Sequence, residues 1–233
     1  VLKLFPRPAG RSVAFVGTQS PDLALSLLSR AKGAGNLTGF ELMARIGIEF
    51  TVRHTEGGRD PMEAPHAWYV LVEFSSAQSD EEANSRMEAF LVDAFENGEA
   101  DDAVIAQSGA QADAFWRLRE EMSGAQKPEG GSIKHDISVP IAAIPDFLRE
   151  ADEAVSALIP GVRFCTFGHL GDGNLHYNIS QPIGMNKQSY LERWDEVNAL
   201  VHDIVGKYDG SFSAEHGVGQ LKRGELVRFK DPV

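Results

Sequence analysis

Phe167-Gly168-His169-Leu170-Gly171-Asp172-Gly173-Asn174-Leu175-His176-Tyr177-Asn178 is the stretch on which the reading of this chain turns. Asp172-Gly173 is a strong hairpin signal, because the turn needs positive φ angles that Asp and Gly tolerate, and strand-like runs at 162–167 and 174–179 flank it. A hairpin there sets His169 and His176 on opposite sides of the turn, so both imidazoles can face one metal ion. Histidines beside a turn are more often surface or hydrogen-bonding residues than ligands, and this is none of the common zinc spacings. A third donor strengthens the metal reading. Ser213-Ala214-Glu215-His216-Gly217-Val218-Gly219 offers a carboxylate and an imidazole at the end of the last predicted strand, although Glu215-His216 taken alone also reads as an exposed charged pair in a loop.

Two histidines and a carboxylate leave open positions on a metal, as in catalytic zinc and non-haem iron sites. An α-hydroxy carboxylate is a natural chelator for such positions, and a bound dication lowers its hydroxyl pKa. The glycines do not bind a nucleotide on this reading: Gly168, Gly171 and Gly173 run in the reverse order of the dinucleotide fingerprint, and a strand follows them. There is no G-x-S-x-G elbow, and Cys165 falls inside a predicted strand as an inert thiol.

Outward from the hairpin, the second half reads as a strand at 133–139, a helix at 144–158 with Pro145 in its first turn, the two hairpin strands, a helix at 188–208 and a short strand at 211–214. That βαββαβ order predicts a ferredoxin-like unit, an antiparallel sheet with helices on one face. The first half reads similarly: strands at 12–16, 37–44, 67–74 and 103–107, helices at 23–31 and 79–97, and an ambiguous segment at 45–54. The fold expected is therefore α+β, two ferredoxin-like units at 1–108 and 109–233, with a helix at 110–126 and a Gly-rich connector at 127–132 between their sheets.

On that linking helix, Arg119 and Ser123 share a face, and Lys134 on the next strand can join them. The three suit a carboxylate clamp, Arg by a bidentate pair and Lys by point charge. Arg on a charged helix is more often solvated or paired with a neighbouring Glu, and both readings stay open here.

Composition narrows the partners. With 34 acidic against 22 basic residues in 233, the formal net charge of −12 repels nucleic acid and anionic membranes. No apolar run approaches the roughly 20 residues of a membrane span. The lone Cys165 excludes an internal disulfide and fits a reducing, cytoplasmic setting, and residues 1–8 lack the features of a signal peptide. Asn36-Leu37-Thr38 and Asn178-Ile179-Ser180 accordingly carry little weight as glycosylation sites.

Taken together, Leu2-Lys3-Leu4-Phe5-Pro6, the helix around Trp116-Arg117-Leu118-Arg119, Lys134-His135-Asp136-Ile137-Ser138-Val139-Pro140 and the two glycine-histidine stretches resemble the C-terminal domain of FAD-linked oxidases of the vanillyl-alcohol-oxidase superfamily. Within it they look like the branch of D-lactate dehydrogenases, D-2-hydroxyglutarate dehydrogenase and the glycolate oxidase flavin subunit. The resemblance implies a flavin-dependent oxidation of a D-2-hydroxy acid to the 2-oxo acid. It implies His169, His176 and Glu215 as ligands of a divalent metal, zinc ahead of manganese or iron, and His216 as general base. Arg119, Ser123, Lys134 and Asn178 would contact the substrate, Ser123 standing where some relatives carry Thr.

FAD would be bound mainly by a preceding domain of the same protein, which this sequence lacks. The chain also stops at Lys230-Asp231-Pro232-Val233 without the family's Asn-Pro-Gly-Lys-like ending, so it is expected to be a fragment that does not turn over alone. The electron acceptor is not specified, and a homodimer is compatible with the sequence. Two other readings compete: a metal- and hydroxy-acid-binding module without catalysis, and a non-haem iron oxygenase.

Overall fold

The computed structural model describes residues 7–220 and 222–229; the Leu2-Lys3-Leu4-Phe5-Pro6 segment and the Lys230-Asp231-Pro232-Val233 ending lie outside them. The elements are β1 (Gly10–Thr18), α1 (Pro21–Ala34), β2 (Leu37–Ala44), α2 (Arg45–His54), β3 (Trp68–Ser76), α3 (Asp80–Glu96), β4 (Asp102–Ile105), α4 (Gly109–Ala125), β5 (Ser132–Ser138), α5 (Ile144–Leu158), β6 (Arg163–His169), β7 (Asn174–Ser180), α6 (Lys187–Leu191), α7 (Trp194–Lys207) and α8 (Arg223–Phe229). Helix starts follow local chemistry. The hydroxyls of Ser20, Ser79 and Ser108 accept from Leu23, Glu82 and Gln111 backbone N–H groups at 3.2, 3.3 and 3.2 Å, satisfying donors that the first turn leaves unpaired.

The strands form one sheet in the order β4-β1-β3-β2-β6-β7-β5, all neighbours antiparallel. The two halves of the chain meet at β2 and β6, where Glu41 pairs with His169, Leu42 with Gly168 and Met43 with Phe167. Strand alternation then sorts the side chains. Ile133, Ile137, Leu175, Tyr177 and Ile179 are wholly buried in a core with α5 and α7 that continues under α1 and α3. Val13, Phe15, Met43, Tyr69, Leu71 and Phe167 face the opposite way, into a second core with α2 and α4.

The α+β class and the antiparallel sheet are as expected, but the pair α2 and α4 on the second face corrects the expectation of helices on one face alone. The ambiguous segment at 45–54 is helical; its Gly47 lets α2 approach α4, since an added Cβ would stand 3.1 Å from the Met122 sulfur. The helix expected at 188–208 is two, α6 and α7. Tyr190 anchors α6 by full burial and by donating its hydroxyl to the Ile179 carbonyl at 2.7 Å. The strand expected at 211–214 is reduced to a single bridge between Ser211 and Ser138. The hairpin is present with a longer connection: one short helical turn over Leu170–Asp172 ends at Gly173, which alone there takes a positive φ, 74°. Among the described residues no helix is long and apolar enough to cross a membrane.

Gly168 sits where β6 passes the start of β7, and a Cβ there would meet the Asn174 carbonyl oxygen at 2.4 Å and the Leu175 Cα at 2.9 Å. Backbone cannot yield as a flexible side chain does. Gly168→Ala is expected to cost about 1–3 kcal/mol, the usual range for overpacking, and a urea midpoint equal to the parent's would refute the close approach. A second prediction concerns pH. Burial lowers His135 to about 3 and His202 to about 4, so both rings stay neutral in the folded chain. The unfolded chain takes up those protons below pH 6.5, so their contribution to stability is complete above that pH and is lost progressively as pH falls through 4 towards 3. Thermal melts between pH 7 and 4 should show this fall, flattened in His202→Leu.

Candidate functional site

The parity that buries Ile133 and Tyr177 puts Lys134, Asp136, His176 and Asn178 on the other face of β5 and β7. There Lys134 is paired with Asn178 and Asp136 with His176. Phe167 lies beside His176 on β6, and His169 closes that strand. On one flank α4 contributes Arg119 and Ser123; on the other stands the segment carrying Glu215, His216 and Lys222. Together they line an open cavity of about 570 Å³ that includes all eight residues singled out in the sequence. A second cavity, about 390 Å³, lies between α4 and the 55–61 loop and contains none of them.

The 570 Å³ cavity is built around a chain of ionisable groups. Glu41, 3% exposed, accepts from His169 Nδ1 at 2.6 Å and from Arg119 Nε at 2.8 Å. On the far side of the ring, His169 Nε2 stands 3.0 Å from Glu215 Oε1, while His176 Nε2 is 3.7 Å from Glu215 Oε2. The Arg119 guanidinium lies over the Phe167 ring, 4.7 Å from its centroid. Burial by itself would raise the Glu41 carboxyl, but the His169 hydrogen bond and the Arg119 charge outweigh it and hold the group below its ordinary range. The hydrogen bond to Glu41 raises His169 against the effect of burial. Burial, helped by the Arg119 charge, lowers His176 and favours its neutral form.

A second carboxylate organises the loop. Asp136 Oδ2 accepts the backbone N–H groups of Glu215 at 3.0 Å and His216 at 2.7 Å and lies 3.2 Å from His216 Nδ1; its Oδ1 accepts from Asn174 at 3.0 Å. Burial pushes Asp136 up, and these hydrogen bonds more than reverse it, so the carboxylate stays ionised. The His216 side chain is 73% exposed on the cavity rim. Lys134 Nζ donates to the Ser123 carbonyl at 2.8 Å and hydroxyl at 3.1 Å, which joins two of the expected trio, Arg119 lining the same cavity, and burial lowers the Lys134 pKa.

Glu41 and Asp136 were not assigned roles in the sequence. A lone acid inside the buried run Phe40-Glu41-Leu42-Met43-Ala44 is a usable signal, because ionised carboxylates are seldom buried without partners. Lys222 carries no comparable signal. Among the described residues, no group of three or more His, Cys, Asp or Glu side chains stands ready to hold a metal ion; His169, His176 and Glu215 converge but contact one another directly.

Known proteins share this chain's pattern. It is 33% identical over 97% of its length to a D-2-hydroxyglutarate dehydrogenase of Xanthomonas citri pv. viticola and 34% identical over its whole length to one of Stutzerimonas stutzeri, covering 47% and 49% of those proteins. A mitochondrial D-2-hydroxyglutarate dehydrogenase of Arabidopsis thaliana is 32% identical over 97% of the chain and 39% of its own length. The chain thus spans about half the length, or less, of these curated relatives. In fold it is similar to p-cresol methylhydroxylase, with a TM-score of 0.60 at 11% identity over 97% of this chain and 52% of that one. It is likewise similar to alkyldihydroxyacetonephosphate synthase, with 0.57 at 12% over 96% and 44%. The family model for the C-terminal domain of FAD linked oxidases matches residues 7–233, and the chain belongs to that family.

Proposed function

We propose that this chain is the substrate- and metal-binding domain of a flavin-dependent dehydrogenase that oxidises a D-2-hydroxy acid to the 2-oxo acid. D-2-hydroxyglutarate, named in the relatives, is the first substrate to test. The observation that carries the reading is the convergence of clamp, imidazoles and carboxylate on one cavity. Arg119 and Lys134 supply positive charge for the substrate carboxylate, with Ser123 and Asn178 as neutral partners at its edge. Among the described residues the terminal nitrogens of Arg119 make no hydrogen bond, which leaves them for a ligand while Nε is spent on Glu41.

The donor chemistry of His169, His176 and Glu215 fits a divalent cation, zinc ahead of manganese or iron. A neutral His169 that donates Nδ1–H to Glu41 turns its Nε2 lone pair toward Glu215 Oε1, acceptor facing acceptor, an arrangement that a shared cation or proton satisfies. When bound, the flavin of a preceding domain supplies the hydride acceptor and the ion supplies charge that acidifies the 2-hydroxyl. His216 takes the hydroxyl proton: with Nδ1–H directed at Asp136, its Nε2 carries the free lone pair. The same reading divides the chain into ferredoxin-like units at 1–108 and 109–233. It is supported by the order β4-β1-β3-β2 in the first, and by β6-β7-β5 with Ser211 bridging Ser138 in the second.

The full-length flavoprotein should lose its flavin absorbance when D-2-hydroxyglutarate is added without oxygen, and His216→Asn should slow that bleaching by roughly 10²–10⁴-fold, the usual weight of a general base. An unchanged rate would remove His216 from the proton transfer; oxygen-dependent turnover by this chain alone would instead favour the oxygenase reading. His169→Ala and Glu215→Ala are each expected to lower the zinc bound per chain while the circular dichroism spectrum stays native. Elemental analysis showing undiminished metal would separate the triad from the ion.

A further inference from the structure

We propose that Glu41 is the positioning residue of this site, one carboxylate that sets the ring orientation and tautomer of His169 and the direction of the Arg119 guanidinium at the same time. The inference rests on the metal- and hydroxy-acid-binding reading above and adds to it a residue that touches neither ligand.

The argument begins with a misfit in the sequence. Glu41 lies in a strand whose neighbours Phe40, Leu42, Met43 and Ala44 are all buried, and it is itself 3% exposed. A carboxylate so placed needs its full complement of donors. It finds two, from elements distant in sequence: His169 at the end of β6, opposite it in the sheet register, and Arg119 on α4. An ionised carboxylate only accepts hydrogen bonds, so both contacts are donations into Glu41. The neutral form of His169 is thereby committed to Nδ1–H, with its Nε2 lone pair on the side of Glu215 and the cavity. Arg119 is committed through Nε, its guanidinium over the Phe167 ring, with its terminal nitrogens left to the cavity it lines. The orientation of the ligand imidazole and of the clamp guanidinium are thus set by the same two oxygen atoms.

A plain structural ion pair between β2 and α4 would make the same contact to Arg119 but would have no effect on the His169 tautomer. Glu41→Gln separates the two roles, because its amide offers one acceptor and one donor where two acceptors stood. Presented to His169, the NH₂ group makes Nδ1 the acceptor and moves the ring proton to Nε2, which takes the lone pair away from the cavity.

The test is zinc affinity of the chain by equilibrium dialysis, with the tautomer of neutral His169 read from long-range ¹H–¹⁵N spectra of the native chain. Glu41→Gln should weaken zinc binding about 10–100-fold, the usual effect of losing the carboxylate behind a ligating histidine. Glu41→Asp should restore part of it. The double variant with His169→Ala should bind no worse than His169→Ala alone, since the two residues act as one unit, and the native spectrum should show Nδ1–H. Native zinc affinity in a folded Glu41→Gln chain, additive losses in the double variant, or an Nε2–H ring in the native chain would each overturn the inference while leaving the broader reading in place. A native chain with no zinc affinity would overturn both. If Glu41→Gln does not fold, the native tautomer still decides.

Discussion

The antiparallel pairing of β2 with β6 is the constraint from which the site descends. Three residue pairs join the halves of the sheet there, and one of them sets Glu41 beside His169. Without that register the carboxylate would have no imidazole to receive, and Arg119 would lose the acceptor that holds its Nε. The close passage of Gly168 against the backbone of β7 belongs to the same arrangement, in which the Phe167 and His176 rings meet at a tilt with centroids 5.0 Å apart. A buried carboxylate and two imidazoles become neighbours through strand pairing, and α4 brings the Arg119 guanidinium to them.

Parity does the second part of the work. On β5 and β7 every other residue enters the core beneath α5 and α7, which leaves the intervening polar residues no choice of face. Lys134, Asp136, His176 and Asn178 line the cavity because Ile133, His135, Leu175 and Tyr177 are buried. The second core under α2 and α4 draws on β1, β2, β3 and β6 and on no residue of β5 or β7, so it ends where the cavity begins. Asp136 then reaches across to gather the Glu215-His216 backbone, a loop with no ladder of its own to hold it.

Much of this was legible from the chain. Residue patterning located every strand of the sheet within a few residues. The eight residues singled out in the sequence all line the cavity, since His, Glu, Arg and Lys stand out against glycine-rich or strand-like surroundings, whereas Asp136 and Lys222 on the same lining were not assigned roles. The readings that failed did so where tertiary contacts overrule local pattern. The segment at 45–54, which the pattern left open between helix and strand because Ile46, Ile48, Phe50 and Val52 alternate, is decided in the same way: β2 already has β3 and β6 on its two sides, and the chain turns onto α4 as a helix. Tyr190 reaching back to Ile179 divides the long helix predicted at 188–208. Residues 211–214 have strand-like composition but one bridge, because the Asp136 carboxylate takes the backbone donors that follow.

What the sequence determined by itself was the position and order of the sheet strands, most of the helices and most of the reactive side chains, since propensity, alternation and turn chemistry act over a few neighbouring residues. It did not determine which strand lies beside which across the middle of the sheet, that helices cover both faces, or that Glu41 and Asp136 would serve as acceptors for residues about 80 to 130 positions away. Those depend on long-range pairing. The free energy of burying a carboxylate or closing a sheet is decided by partners that the local sequence does not contain, and only the folded chain brings them within hydrogen-bond reach.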